Sequence, residues 1–206
     1  MIVKFDHIAY TCRKDEIERI REQYTGYTEV FHEIGIPNLA IKHLLMTKWK
    51  ENHDIVLIEK KGALPIEITA YEDVEDSKGK YYMKDHSLTV NTLSYEDSYQ
   101  FYEAVGFGKR DDNEMLIQPV MDTMPIRIKI NEKADVYSWS NANGLDCRGF
   151  CCLAFITNKI AKEKERLDRK KIRTTDIMPL ELHGRKMRIF FADNDFGDIC
   201  EFIGVS

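Results

Sequence analysis

The sequence lacks the features that mark membrane and secreted proteins. No stretch approaches the roughly 18 consecutive apolar residues of a membrane-spanning helix. Residues 1–10 have neither the cationic region nor the long apolar run of a secretory signal. We therefore expect a cytoplasmic protein that does not contact a membrane.

Paired cysteines are missing as well. The five cysteines are odd in number and include no CxxC pair, so they predict neither a disulfide framework nor a structural zinc knuckle. We expect reduced thiols. A chain of 206 residues, 43% of them hydrophobic, can in any case bury a core without such cross-links.

A basic surplus is also absent, since 35 acidic residues outnumber 30 basic ones and leave a formal charge of −5. This balance disfavours nucleic acid and anionic membranes as partners and favours a small-molecule substrate. The sequence contains no phosphate loop, dinucleotide fingerprint or nucleophile elbow, which argues against hydride transfer and nucleotide hydrolysis.

What the sequence does contain is a unit that occurs three times. The string FDHIAY at residues 5–10 is echoed by FCCLAF at 150–155 and more loosely by KDHSLT at 84–89. Apolar residues spaced three and four apart follow each string and predict one amphipathic helix per unit. The predicted helices cover residues 16–24, 95–105 and 160–171.

Three strand-like runs follow each predicted helix, so the unit is βαβββ and the fold class is α+β. In the first unit the runs are 40–49, 53–60 and 64–71. The clearest runs of the second unit are 114–120 and 125–130, and those of the third are 173–182, 186–192 and 198–204. The expected organisation is a first module at 1–75, followed by a domain at 82–206 that contains modules 82–132 and 148–206.

Two segments carry a family resemblance. Residues 85–107 read DHSLTVNTLSYEDSYQFYEAVGF, and the third unit opens with CLAFITNK and closes with ADNDFGDICEFI. This pattern resembles the vicinal oxygen chelate superfamily, which includes glyoxalases, bleomycin-resistance proteins and extradiol dioxygenases. The resemblance implies paired βαβββ modules that curl into a cupped, mixed sheet around a small-molecule pocket.

The resemblance also implies a set of metal ligands, taken from the first and last strands of two paired modules. At those positions the first unit has His7 and Glu67. The second unit has His86 but Arg127 in place of the glutamate, and the third has Glu201 but Cys152 in place of the histidine. The implied cofactor is a divalent ion, with zinc, iron, manganese and nickel not distinguished.

Strand alternation supports the first unit most. Successive side chains of a strand point to opposite faces, so His7 shares a face with Ala9 and Thr11. On the last strand Glu67 faces with Thr69, opposite two isoleucines. A carboxylate in that setting must face solvent or be paired within a pocket, because burying it uncompensated costs several kcal/mol.

The sequence is compatible with two ways of pairing the units. If units two and three pair by adjacency, His86, Cys152 and Glu201 form the site. If the first unit pairs with another unit, or with its own copy in a homodimer, His7 and Glu67 supply half of a His/Glu site. The third, unpaired unit makes a homodimer the expected oligomer.

Two functions follow from the resemblance. The first is a metal-dependent lyase, isomerase or dioxygenase that acts on a small molecule with adjacent oxygens, in which Glu67 or Glu201 ligates the metal or carries a proton and Arg127 binds an anionic group of the substrate. The alternative is a metal-free protein of the bleomycin-resistance type that sequesters a planar drug. Its stacking surface would come from aromatic residues: Tyr71, Tyr81, Tyr82, Trp139 and Phe150.

Overall fold

A computed structural model of the protein describes residues 1–76, 80–84, 87–122, 124–133 and 144–205. It contains three βαβββ modules, as the repeats predict. The first module consists of β1 (Ile2–Arg13), α1 (Ile17–Gln23), β2 (Thr28–Pro37), β3 (Asn52–Glu59) and β4 (Ile66–Tyr71). None of the described helices is long and apolar enough to cross a membrane.

The other two modules repeat this order, and the third has one additional two-residue strand after its helix. A short strand, β5 (Tyr81–Lys84), precedes the second module, which consists of β6 (Ser87–Thr92), α2 (Tyr95–Val105), β7 (Gly108–Lys109), β8 (Glu114–Ile117) and β9 (Ile126–Glu132). The third module consists of β10 (Gly149–Thr157), α3 (Ile160–Arg169), β11 (Arg173–Thr174), β12 (Met178–Leu182), β13 (Arg185–Asp193) and β14 (Ile199–Val205). The predicted α+β class with three module-like repeats is confirmed.

Local sequence signals account for the clearest helix. Ser94 caps the N-terminus of α2 by accepting a hydrogen bond from the backbone N–H of Asp97. Gly106, at φ 131°, ends the helix in a conformation that residues with a Cβ rarely adopt. The helix predicted at 95–105 therefore has the predicted bounds.

One strand prediction is wrong. Residues 40–49 were expected to form the second strand of the first module, but 40–45 form a 3-10 segment whose Leu45 is buried. The second strand of the first module is instead β2, which lies earlier in the chain. Its side chains are largely exposed because β2 lies at an edge of the sheet, and it therefore lacks the buried alternation that marks a strand in sequence.

Within the described residues, the strands form one 14-stranded mixed sheet. In each module the first strand pairs in parallel with the last: β1 with β4, β6 with β9, and β10 with β14. The first and third modules join because β1 and β10 pair antiparallel along nearly their whole length, from Ile2↔Thr157 to Thr11↔Gly149.

The second module lies outside this pair. The second module connects to β10 only through β5, by the single residue pair Phe150↔Tyr81 among the described residues. The remaining residues on the same edge of β10 pair with β14. In the sheet, the long antiparallel contact of β1 with β10 pairs the first module with the third. The grouping of the second and third modules into one domain at 82–206, expected from their adjacency, stays a prediction.

The paired modules curve into a cup whose outer edges meet. Edge strand β2 and the turn between β12 and β13 touch through a stacked pair, Phe31 and His183, with ring centroids 5.4 Å apart. His183 also lies 3.7 Å from Glu33 of β2. This contact brings the two ends of the curved sheet together over its concave face.

The two faces of the sheet have separate cores. The convex face packs against the three helices through residues such as Ile8, Ile66 and Phe202. The concave face has a second cluster at one end of the cup, where Leu45 of the 3-10 segment meets Leu145. Other members of that cluster, such as Ile203, line an open cavity within the cup.

Candidate functional site

His7 stands at the centre of the cup, on β1, and is 3% exposed. A bulge in the pairing with β10 falls between Phe5 and His7. Such a bulge redirects side chains, and here Asp6 and His7, although neighbours in a strand, lie against each other. The Nδ1 atom of His7 is 2.9 Å from Oδ2 of Asp6.

This contact determines the role of each ring nitrogen. An ionised carboxylate only accepts hydrogen bonds, so Nδ1 of His7 carries the proton and donates it to Asp6. The other nitrogen, Nε2, is buried and has no hydrogen-bond partner among the described residues. It points toward the contact between the first and third modules.

Two glutamates converge on that nitrogen, one from each module. Oε2 of Glu67, on β4, lies 3.5 Å from Nε2 of His7, and Oε2 of Glu201, on β14, lies 3.8 Å from it. The two glutamates hold matching positions, because Glu67 is in register with Ala9 of β1 and Glu201 with Ala154 of β10. Thr69 donates a hydrogen bond of 3.1 Å to the other oxygen of Glu67.

The first strands of the two modules, β1 and β10, also carry corresponding residues. His7 pairs with Ala154, and Cys152 pairs with Ala9, so an approximate two-fold axis between β1 and β10 relates His7 to Cys152. Cys152 is 1% exposed and lines a small cavity together with both glutamates. Its sulfur lies 3.7 Å from the carbonyl oxygen of Leu153.

Burial and neighbouring charges shift the pKa values of these groups. Burial alone lowers the pKa of His7, but the Glu67 carboxylate and the hydrogen bond to Asp6 outweigh it and raise that pKa to about 9. Burial, together with the negative charge of Glu67, raises the pKa of Glu201 to about 7. Burial also raises the pKa of the Cys152 thiol well above its usual range, helped by Glu201.

The donor set suits a divalent cation. Buried carboxylates that face each other across an imidazole nitrogen need a counter-charge, and a hydrogen-bonded Asp behind the histidine is a common arrangement at metal sites. In the described part of the chain no three His, Cys, Asp or Glu side chains already stand at the spacing of a metal site. The glutamate side chains would have to turn toward a common point with His7.

A cavity of about 630 Å³ within the cup includes this centre. This volume is typical of small-molecule sites. His7, Glu67 and Glu201 lie at its buried end. Its walls are mainly apolar and come from both modules: Phe31, Leu57, Ile156, Leu180, Leu182, Met187 and Ile203.

The structure brings together four of the residues expected from the sequence: His7, Glu67, Cys152 and Glu201. Arg127, expected to bind substrate, is exposed on β9 of the second module and does not line this cavity. His86 lies outside the described residues. Because Glu201 reaches His7 within one chain, the His/Glu set does not require a second copy, and the homodimer stays a prediction.

The aromatic residues expected to stack on a planar ligand do not line the cavity either. Tyr71 and Tyr81 are buried, Tyr82 is exposed on β5 and Phe150 packs edge-on against Tyr10. Trp139 lies outside the described residues. The aromatic side chain that does line the cavity is Phe31.

Sequence reasoning missed three charged residues of the site. Asp6 could have been suspected from its place beside His7, but only the bulge turns it toward that ring. Lys42, on the 3-10 segment, lines the small cavities behind the glutamates, and its positive charge opposes the rise in the pKa of Glu201. Arg185 follows a turn whose position over the cup depends on the tertiary fold.

No protein-family model matches the chain, and no curated protein matches it. It is similar to solved structures, among them methylmalonyl-CoA epimerase from Mycobacterium tuberculosis, with 12% identity, a TM-score of 0.47, and coverage of 100% of this chain and 89% of the other. Another is glyoxalase I from Zea mays, with 16% identity, a TM-score of 0.40, and coverage of 99% and 68%. A third is a variant of methylmalonyl-CoA epimerase from Streptomyces coelicolor in complex with 2-nitronate-propionyl-CoA, with 12% identity, a TM-score of 0.44, and coverage of 100% and 96%.

These neighbours belong to the vicinal oxygen chelate superfamily, which the sequence resembles. Their identities and TM-scores are too low to assign an activity to this chain. The function has to be inferred from its own residues.

Proposed function

We propose that the protein is a metal-dependent enzyme of the vicinal oxygen chelate type, which acts on a small molecule with adjacent oxygen atoms. The observation that carries the proposal is the buried Nε2 atom of His7, which has no hydrogen-bond partner among the described residues and lies within 4 Å of two carboxylates from two modules. A divalent cation that displaced the Nε2 proton of His7 would meet one imidazole nitrogen and two carboxylates, which together are a donor set suited to it.

His7, Glu67 and Glu201 would hold the metal, and Cys152 lies beside them at the position related to His7. A metal bound there would act as a Lewis acid that polarises the substrate's oxygens. Asp6 orients the imidazole of His7 through Nδ1 and keeps Nε2 directed into the site.

The glutamates are also the candidates for proton transfer. A general base must lie within hydrogen-bond reach of the proton that it takes, and Glu67 and Glu201 both line the buried end of the cavity. The apolar walls would exclude water from that end, which strengthens the electrostatic interactions there. A lyase, an isomerase and a dioxygenase could each use such a site.

Metal analysis of the purified protein tests the proposal. We expect stoichiometric divalent metal in the wild-type protein and its loss in His7→Ala, Glu67→Gln and Glu201→Gln. Glu59→Gln is the matched control, because Glu59 lines the same cavity without contacting His7. A metal-free wild-type protein that binds a planar ligand with unchanged affinity in the three variants would refute the proposal and favour the drug-sequestering alternative.

A further inference from the structure

The open end of the cavity has a different charge from its buried end. Lys4, near the start of β1, and Arg185, at the start of β13, both line it, and Arg185 is exposed. They come from the two modules of the cup and approach the cavity from separate strands. The cavity therefore has carboxylates at its floor and cations at its mouth.

These two cations are not used by the fold. The chain has many ion pairs, but neither Lys4 nor Arg185 forms one, or a side-chain hydrogen bond, with another described residue. Their charges act at longer range. Both help to lower the pKa of the Asp6 carboxyl, after the hydrogen bond from His7 and against the effect of burial, and Lys4 also opposes the rise that burial causes in the pKa of Asp122. Asp6 is already bonded to His7, so it does not satisfy either cation.

Besides Asp6, three carboxylates line the cavity. Glu67 and Glu201 face His7 at the floor, and on the proposed function a metal ion would occupy them. Glu59, at the end of β3 in the opposite wall, is the one remaining carboxylate among the described residues that line the cavity. Lys186 also lines the cavity beside Arg185, but it already interacts with another group and is not part of the proposed site.

From this charge pattern we propose that Lys4 and Arg185 bind an anionic group of the substrate at the mouth of the cavity. The substrate class is then a small organic anion. Its adjacent oxygens reach the floor, its apolar part lies along the walls, and its carboxylate or a similar anionic group contacts the two cations. A guanidinium can hold a carboxylate through two parallel hydrogen bonds, and a lysine adds a second positive charge. The substrate class rests on the proposed function, whereas the anion site itself depends only on the cations.

Two matched probes test this assignment: 3,4-dihydroxybenzoate and its neutral isostere 3,4-dihydroxybenzamide. Both present adjacent oxygens, and they differ in the charge of one group. In calorimetric titrations of the zinc-loaded protein without oxygen, we expect the benzoate to bind roughly tenfold more tightly than the amide, as for a charge-assisted contact. This preference should shrink as salt is added, since ions screen an exposed contact.

Variants then assign the preference to the two side chains. The double variant Lys4→Met, Arg185→Met should bind the two probes equally while retaining its zinc. Lys162→Met is the control, because Lys162 is an exposed cation on α3 with the same charge and lies outside the cavity. It should keep the full preference.

The outcomes separate this inference from the proposed function. Equal binding of both probes by the zinc-loaded wild-type protein, no binding of either, or a preference that survives in the double variant overturns the anion site. A protein that takes up no zinc, iron, manganese or nickel but still prefers the benzoate, and loses this preference in the double variant, refutes the metal enzyme and supports the anion site.

Discussion

The Nε2 atom of His7, on the first strand of the first module, lies 3.8 Å from Oε2 of Glu201, on the last strand of the third. The two residues are far apart in the chain and meet because β1 and β10 pair in one sheet. This pairing supplies the second carboxylate that a site built from the first module alone would lack.

Asp6→Asn should weaken metal binding without removing a ligand. The amide cannot supply the negative charge that keeps Nδ1 protonated and makes Nε2 a better donor, so we expect roughly a 10- to 100-fold loss of metal affinity. Competition with a chromophoric chelator measures it. Glu33→Gln, which changes a carboxylate near His183 at the rim of the cup, is the control. Equal affinity in Asp6→Asn and wild type would show that Asp6 does not support the site.

Removal of the metal should leave the fold intact and lower its stability. The helix-facing core does not include the site residues, so the chain should stay folded in a chelator. A ligand that binds only the folded state adds about 2.7 kcal/mol to the free energy of unfolding at a concentration 100 times its Kd. Thermal unfolding with and without zinc should therefore show an upward shift, and His7→Ala should show none.

His53 should make the protein sensitive to mild acid. Burial, and to a lesser degree the charges of Lys42 and Lys14, lowers the pKa of His53 to about 2. Below pH 6.5 His53 takes up a proton in the unfolded chain but stays neutral in the folded chain. The contribution of His53 to the free energy of unfolding is therefore complete above pH 6.5 and is lost as the pH falls toward 2. The slope approaches about 1.4 kcal/mol per pH unit for one proton.

Urea unfolding between pH 7 and pH 4 measures this slope. His53→Phe keeps a ring against Tyr71, whose ring centroid is 5.8 Å away, and removes the titration. We expect the variant to lose less stability than wild type over this range. Parallel curves for the two proteins would show that His53 is protonated in the folded state.

Lys80 and Asp198 should stabilise the contact between the second and third modules. Both side chains are fully buried, 2.9 Å apart, and Asp198 also accepts hydrogen bonds from Ser98 and Tyr102 of α2. Asp198→Asn would leave a buried ammonium without its counter-charge, which costs about 3–5 kcal/mol. Unfolding by denaturant measures the loss.

A double-mutant cycle with Lys80→Met isolates the pair. If the two groups interact directly, Asp198→Asn should cost less in the Lys80→Met background than in wild type. Additive losses would mean that each group is stabilised by its other partners and that the ion pair contributes little.

Gly204→Ala should destabilise the third module. A Cβ atom at Gly204 would lie 2.8 Å from Cβ of Ile160, the first residue of α3, so the helix would have to move off the sheet. Overpacking of this kind costs about 1–3 kcal/mol. Gly108→Ala is the control, since its Cβ would meet only a backbone oxygen at 3.9 Å. Equal melting temperatures for the two variants would contradict the close packing.

The sequence by itself determined the modules and the orientation of their strands. Repeats predicted three βαβββ units, and the two-residue period of strands predicted that Glu67 and Thr69 share a face, which their hydrogen bond confirms. These features depend on neighbouring residues, so a single sequence contains them. The strand expected at residues 40–49 failed because an apolar run of that length is compatible with more than one local structure.

Only the tertiary structure decided which modules pair and which residues complete the site. Strand pairing between β1 and β10 depends on contacts across most of the chain, and no local pattern specifies it. The same pairing sets Glu201 beside His7 and leaves Arg127 outside the cup. Asp6 joins the site through a bulge in that pairing, and Arg185 reaches the cavity because the edges of the curved sheet meet.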